Sequence, residues 1–273
     1  MSGSLVCVGT GMTLGAHISP ICRSQIEQAD VVFSLMSSGL VERWIEEMST
    51  DVRSLQPYYQ EGKNRNITYN EMVEAILVET RLGKKVVAAF YGHPGVFACV
   101  AHRAIKKAHQ EELPAHMEPG ISAEDCLFAD LCIDPGQTGC QHFEASQFMF
   151  FKRNIDPAAH LILWQVGLAG DKSLTKYATG KAYRQVLVEL LSKIYPLDHS
   201  VILYQAKVLP IDTMRNDTIK LRDFIDAAIF MHTTMVIPPC EKMQPNQQVL
   251  DRLAEIDLQQ DRIKKAPKLT VVC

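Results

Sequence analysis

Leu5-Val6-Cys7-Val8 is an unbroken apolar run closed by Gly9-Thr10-Gly11, the pattern of a buried strand entering a turn. Ser19-Pro20 predicts a helix start, with Ser19 as N-cap and Pro20 at the first helical position. Val31 to Leu35 predicts a second strand, and Ser38 begins a helical stretch through Trp44 and Met48. From Thr68 to Gly83 the apolar positions Met72, Val73, Ile76, Leu77 and Leu82 recur at helical spacing, and Gly83 supplies the stop. Lys85 to Tyr91 reads as a strand, followed by Gly92-His93-Pro94-Gly95-Val96-Phe97 and a helix through Ala108. This alternation predicts an α/β fold with a parallel sheet covered on both faces.

The second half has a different texture. Ser122 and Asp125 form a capping-box pattern at the head of a helix. Leu161 to Val166, Ser200 to Ala206 and Ala228 to Ile237 read as strands, with a helix from Lys181 to Tyr195 between the first two. Pro238-Pro239 ends the regular pattern. Beyond it lie an amphipathic helix, roughly Asn246 to Gln260, and a tail ending in Leu269-Thr270-Val271-Val272-Cys273. The expected organisation is two α/β lobes, 1–119 and 120–240, hinged near Pro119, with a helical tail over 241–273. A cleft between such lobes, lined by strand-terminal loops, is a usual ligand site.

Composition narrows the function classes. Hydrophobic residues make up 47% and charged residues 22% of the 273 positions, which excludes a disordered chain. A net charge of -3 carries no basic excess of the kind that attracts nucleic acid. No apolar run approaches the ~20 residues of a membrane helix, so no membrane partner is expected. The N-terminus lacks a charged region followed by a cleavage site, so no signal peptide is expected. Cysteines 7, 22, 99, 126, 132, 140, 240 and 273 form no C-x-x-C pair, and reduced thiols in a cytoplasmic protein are expected rather than a zinc site.

Three stretches carry candidate chemistry. Gly9-Thr10-Gly11 can cradle phosphate at a strand end, but its spacing is not the dinucleotide fingerprint and the P-loop lysine is absent. A plain tight turn explains it equally well. Tyr91 to Phe97 fixes an exposed turn between apolar surfaces, which suits an uncharged aromatic or thioether-bearing ligand better than a polyphosphate. An ordinary turn with core aromatics is the alternative. His93 has no partner at metal-ligand spacing. Tyr58 to Tyr69 gathers three tyrosines, Lys63 and Arg65 in twelve residues. If the helix extends back through Arg65, Arg65 and Tyr69 are i,i+4 neighbours, and the guanidinium favours a phenolate. The alternative is a solvated loop with tyrosines packed on their faces.

Together these stretches resemble the tetrapyrrole methylases, which bind S-adenosylmethionine between two α/β lobes. Within that superfamily the chain is most similar to the borosin α-N-methyltransferases, which methylate backbone amides of a precursor peptide. The resemblance is carried by Lys63 to Tyr69, by Tyr91 to Phe97, and by the long stretch from Ser122 to Pro135. Gln165-Val166-Gly167 and Ile237-Pro238-Pro239 agree as well. Two departures stand out. Fused members carry their own core peptide on a long C-terminal extension, whereas about thirty residues follow Pro239 here. This resembles the split form, with a separate precursor peptide as substrate in trans. Where some relatives have a further tyrosine, this chain has Gln56.

The resemblance implies S-adenosylmethionine as cofactor, held by Tyr91, His93, Val96 and Phe97, by Ser122 and Ala123, and by Gln165, Ala206, Thr233 and Thr234. It implies an interlocked homodimer with two precursor chains. Tyr69 is the expected base with Arg65 lowering its pKa, and Tyr91 is expected to steady the amide oxygen; Tyr58 and Tyr59 face the substrate and remain alternative bases. The competing expectations are a tetrapyrrole C-methyltransferase, whose substrate asks for a basic cleft, and a silent peptide-binding scaffold.

Overall fold

The computed structural model describes residues 3–265. Met1–Cys240 form one compact unit and Glu241–Cys273 a second.

The first half of the larger unit runs β1 (Ser4–Gly9), α1 (Pro20–Glu27), β2 (Val31–Leu35), α2 (Gly39–Glu46), β3 (Val52–Ser54), α3 (Arg65–Arg81), β4 (Lys85–Phe90), α4 (Cys99–Gln110) and β5 (Ala115–Glu118). The strands form one parallel sheet in the order β3-β2-β4-β1-β5. Leu5, Cys7, Val86 and Ala88 point to one face and pack on Met72, Ile76 and Leu77 of α3 and Val100 and Ala104 of α4. Val6, Val8, Val87 and Ala89 point to the other, against Cys22 and Ile26 of α1 and Val41 and Ile45 of α2. Strand residues buried on both faces explain the unbroken apolar runs. Ser19 caps α1, Ser38 caps α2, and Asn64 caps α3 by accepting from the Asn66 N–H.

The second half runs α5 (Ala123–Leu131), α6 (Pro135–Thr138), β6 (Cys140–Glu144), α7 (Ala145–Phe150), β7 (His160–Trp164), α8 (Lys181–Leu191), β8 (Ser200–Gln205), β9 (Arg215–Lys220) and β10 (Thr234–Ile237). Its sheet is mixed, in the order β6-β7-β10-β8-β9, with β6 and β7 parallel and the other pairs antiparallel. One face packs Leu161, Leu163, Leu203 and Met235 on Leu187 and Leu191 of α8. The other packs Ile162, Trp164, Tyr204 and Val236 on Leu127 of α5. The architecture is therefore two α/β lobes in sequence. The smaller unit holds α9 (Gln247–Lys265); the sequence reading of Leu269 to Cys273 lies outside the described residues.

Several boundaries differ from the sequence reading. The helix expected from Thr68 begins at Arg65, because Asn64 supplies the cap. The strand expected over Ala228 to Ile237 is confined to Thr234–Ile237. Ahead of it, the Thr233 hydroxyl accepts the Phe230 N–H and the Thr233 N–H donates to the Phe230 carbonyl, closing a turn that leaves no ladder partner. The helix expected to reach Tyr195 ends at Leu191. Tyr195 instead buries its ring in the core and stacks on His199.

Three glycines fix how the ends of the first sheet meet. A Cβ on Gly120 would stand 2.3 Å from the Gly92 carbonyl oxygen, and one on Gly9 would stand 2.6 Å from both that oxygen and the Gly120 Cα. No side chain fits in this backbone crossing. Gly120→Ala is expected to destabilise the protein by about 3 kcal/mol, the upper range for overpacking, measured as a lower midpoint in urea at unchanged slope.

Candidate active site

The 92–97 turn leaves the end of β4, and its Gly92 pairs both ways with Gly11, through N–H to carbonyl bonds of 3.1 and 2.9 Å. The Gly9-Thr10-Gly11 segment is thus the floor of that turn. Thr10 Oγ1 donates to the Phe90 carbonyl at 3.2 Å, and the loop beyond it reaches the second lobe: Thr13 Oγ1 donates to the Lys207 carbonyl at 3.3 Å and the Leu14 N–H to Val208 at 2.9 Å. The backbone donors here are occupied by protein, which favours the tight-turn reading over a phosphate cradle.

Inside the 92–97 turn, His93 Nδ1 accepts the Gly95 N–H at 2.8 Å, so that nitrogen holds the loop rather than a metal. Phe97 adopts a left-handed φ of 51° and stays half exposed. Its ring lies 5.5 Å from that of Trp164 and 6.3 Å from that of His142, bridging the lobes. Trp164 is buried, and its indole N–H has no partner among the described residues.

The expected cofactor residues fall into two groups. On one side, Tyr91 to Phe97 adjoin Ser122, whose Cα would lie 3.9 Å from a Cβ on Gly92. Ser122 caps α5 in a full capping box with Asp125 and is buried, and Ala123 is the first residue of that helix. Ser122→Ala is expected to cost about 1 kcal/mol, read from thermal unfolding. On the other side, the Val166 N–H donates to the Thr233 carbonyl at 3.0 Å and Gln205 Nε2 donates to Thr233 Oγ1 at 2.7 Å. That joins Gln165, Ala206, Thr233 and Thr234 at one end of the second sheet. The Phe97–Trp164 contact connects the two groups.

Tyr59, Tyr69 and Tyr91 form a phenol cluster on the first lobe, with the Cys99 thiol beside it. The rings of Tyr59 and Tyr69 meet edge to face at 6.3 Å. Tyr58 is set apart: its carbonyl accepts Lys63 Nζ and Thr68 Oγ1, and its ring packs on the core. Burial raises the pKa of Tyr59, and neighbouring Tyr69 and Tyr91 raise it further. Burial also raises Tyr91, although 44% of the residue's surface is exposed.

Tyr69 differs from the expectation that Arg65 would leave it with a lowered pKa. Burial and Cys99 raise it, while Arg65 and the neighbouring Tyr59 hydroxyl pull the other way; the net direction is upward. Arg65 acts with the expected sign, but desolvation outweighs it. Of the two phenols, Tyr69 is the one that the neighbouring Arg65 guanidinium pulls downward.

Arg65 itself faces the second lobe. Nη1 donates to the Lys176 carbonyl at 2.6 Å, Nη2 lies 3.5 Å from Asp171 Oδ2, and its backbone N–H donates to the Leu174 carbonyl at 2.9 Å. Arg103 sits over the Tyr69 ring at 5.7 Å and is held by Asn66 and Asn70. Asp171, Arg103, Cys99 and Trp164 escaped the sequence reading. For Asp171 a signal existed, since Gly-Asp-x-Ser is a turn pattern in which the carboxylate caps its own backbone.

A family profile described as tetrapyrrole (corrin/porphyrin) methylases matches residues 4–210. Over 256 residues, 92% of this chain, the sequence is 38% identical to a methyltransferase/ribosomally synthesized cyclic peptide gymnopeptides precursor from Gymnopus fusipes, covering 61% of that protein. It is 37% identical over 271 residues to the corresponding omphalotin A precursor protein of Omphalotus olearius, with 97% of this chain and 64% of the relative covered. A type I borosin cyclic peptide precursor methyltransferase of Coprinopsis marcescibilis is 37% identical over 262 residues, with 92% of this chain and 67% of that protein covered. The chain spans about six-tenths of the length of the first two relatives. Among solved structures, a cobalt precorrin-4 methyltransferase superposes with a TM-score of 0.62 at 16% identity, over 86% of this chain and 94% of that one. Uroporphyrin-III-C-methyltransferase from Thermus thermophilus gives 0.61 at 16% identity, over 88% and 93%. These two likenesses concern the fold.

Proposed function

We propose, for a chain that belongs to the tetrapyrrole (corrin/porphyrin) methylase family, an S-adenosylmethionine-dependent transfer of methyl groups to backbone amides of a ribosomally made precursor peptide. The observation that carries this reading is the phenol cluster of Tyr59, Tyr69 and Tyr91 with Arg65 at its edge. The names borne by relatives 37–38% identical to this chain support the substrate class. The separate-peptide and homodimer expectations belong to the same proposal.

The cofactor residues fit such a group on two counts. The Trp164 N–H is a buried donor without a partner among the described residues, the kind of group a ligand acceptor satisfies. Phe97 and Tyr91 present aromatic faces, which suit a sulfonium. Tyr91, His93, Val96, Phe97, Ser122, Ala123, Gln165, Ala206, Thr233 and Thr234 would hold it. When bound, S-adenosylmethionine supplies an electrophilic methyl group.

An amide nitrogen is a poor nucleophile because its lone pair is delocalised into the carbonyl. Tyr69 takes the N–H proton onto its phenolate oxygen, which the Tyr59 hydroxyl and Arg65 stabilise. Tyr91 donates to the amide oxygen, where negative charge grows as the proton leaves.

The test supplies a candidate precursor peptide as a separate chain and sequences it by tandem mass spectrometry. Methyl groups on backbone nitrogens, between side chains that cannot accept them, are expected. An unmodified peptide with S-adenosylmethionine bound to the protein would turn the assignment toward a tetrapyrrole substrate or a scaffold.

A further inference from the structure

We propose that Asp171 is a positioning residue for methyl transfer, acting through Arg65. The inference rests on the backbone-amide methyltransferase reading and adds a residue from the opposite lobe to it. The Asp171 side chain is fully buried, and every acceptor position on it is in use. Oδ1 takes the Ser173 N–H at 3.0 Å and the Ser173 hydroxyl at 2.6 Å. Oδ2 takes the Lys176 N–H at 3.1 Å and faces Arg65 Nη2 at 3.5 Å.

These bonds tie residues 171–176 into a knot, and the knot turns its carbonyls toward the start of α3. Leu174 accepts the Arg65 N–H, Lys176 accepts Arg65 Nη1, and Ser173 accepts Asn64 Nδ2 at 2.8 Å. The Arg65 guanidinium is therefore gripped by a carbonyl and a carboxylate of one loop, while its backbone is gripped by a third group of that loop. A long flexible side chain needs such a grip to stay at one distance from Tyr69, four residues further along α3. The side chains facing Tyr69 from other elements are Tyr59, Tyr91, Cys99 and Arg103. Arg103 is held by asparagines and Cys99 raises the phenol, so Arg65 is the cation whose setting Asp171 decides.

The decisive experiment is a mutant cycle. Asp171→Asn, Arg65→Ala and the double variant are compared by single-turnover methyl transfer to a precursor peptide across pH 7–10. S-Adenosylmethionine affinity is measured by calorimetry, and the Arg65 guanidinium by nitrogen-15 NMR. Asp171→Asn is expected to slow transfer by about 10²-fold, the scale of a small misplacement of a catalytic group, with cofactor affinity unchanged. It is expected to shift the alkaline rise of the rate to higher pH and to speed exchange of the Arg65 guanidinium protons. In the Arg65→Ala background it is expected to cost nothing further, because Asp171 acts through Arg65. Wild-type rates in Asp171→Asn, or losses that simply add in the double variant, would overturn the proposal. Should Asp171→Asn fail to fold, Ser173→Ala removes one donor from the carboxylate and must show the same non-additivity at smaller size. Tyr69→Phe run in parallel separates the two readings. Full activity there refutes the base assignment, whereas an inactive Tyr69→Phe beside a fully active Asp171→Asn refutes only the role of Asp171.

Discussion

Replacing Tyr69 by phenylalanine is expected to lower methyl transfer by about 10²–10⁴-fold, the range supplied by a positioned general base, with cofactor binding intact. The ring of Tyr69 packs against the first lobe's core, so the change removes one oxygen, the proposed proton acceptor, and little packing. The pH dependence gives a second signature. Burial and Cys99 hold the Tyr69 pKa above that of free tyrosine despite Arg65, so the phenolate is a minor species near neutrality. The rate of the wild-type protein should therefore climb about tenfold per pH unit below that pKa, and the climb should vanish in Tyr69→Phe. Single-turnover assays between pH 7 and 9 measure both. Turnover unchanged in the variant would refute the assignment and return attention to Tyr59, whose pKa burial also raises.

Arg65→Ala carries the second large effect, on stability as well as on rate. It strips a cation from the wholly buried Asp171 carboxylate. Breaking a buried pair from one side costs about 3–5 kcal/mol; about 3 is expected here, because the Ser173 hydroxyl and two N–H groups remain on the carboxylate. Chemical denaturation reads this directly. Acid titration supplies the sign. Burial alone would raise the Asp171 pKa, but the Ser173 hydroxyl, the backbone N–H groups and Arg65 outweigh it and hold it low. A carboxyl depressed in the folded state adds stability above its unfolded pKa of about 3.9, and that stability drains away as pH falls through the folded value. The variant should lose less between pH 5 and 3, since part of the contribution is already gone.

The first sheet was legible in the sequence because its strands are buried on both faces and read as apolar runs: Leu5 to Val8, Val31 to Leu35, Val86 to Phe90. Short edge strands were not. β3, with the sequence Val52-Arg53-Ser54, and β9, with Arg215-Asn216-Asp217 at its head, are polar because an edge strand has solvent beside it. The same logic divides the site. Arg65 and Tyr69 could be paired from their spacing on one helix, and the structure places both on α3. Tyr91 joining Tyr59 and Tyr69 depended on the order β3-β2-β4, which spacing alone does not specify. Asp171 lies 106 positions from Arg65, in a loop whose local pattern announced a turn and nothing about what the turn would hold.

The bonds from the 171–176 loop to α3, and from Lys207 and Val208 to the Thr13-Leu14 segment, also set an order of events on the ribosome. The first lobe carries a complete sheet by residue 118 and can collapse while the rest of the chain is still being made. The head of α3 nevertheless lacks its outside acceptor until Leu174 has emerged, and the turn after β1 waits for Val208. That edge of the early lobe is thus finished last, by the late one. A chain stalled during synthesis before residue 170 would hold a folded sheet with Arg65 still lacking the carbonyls and carboxylate that grip it.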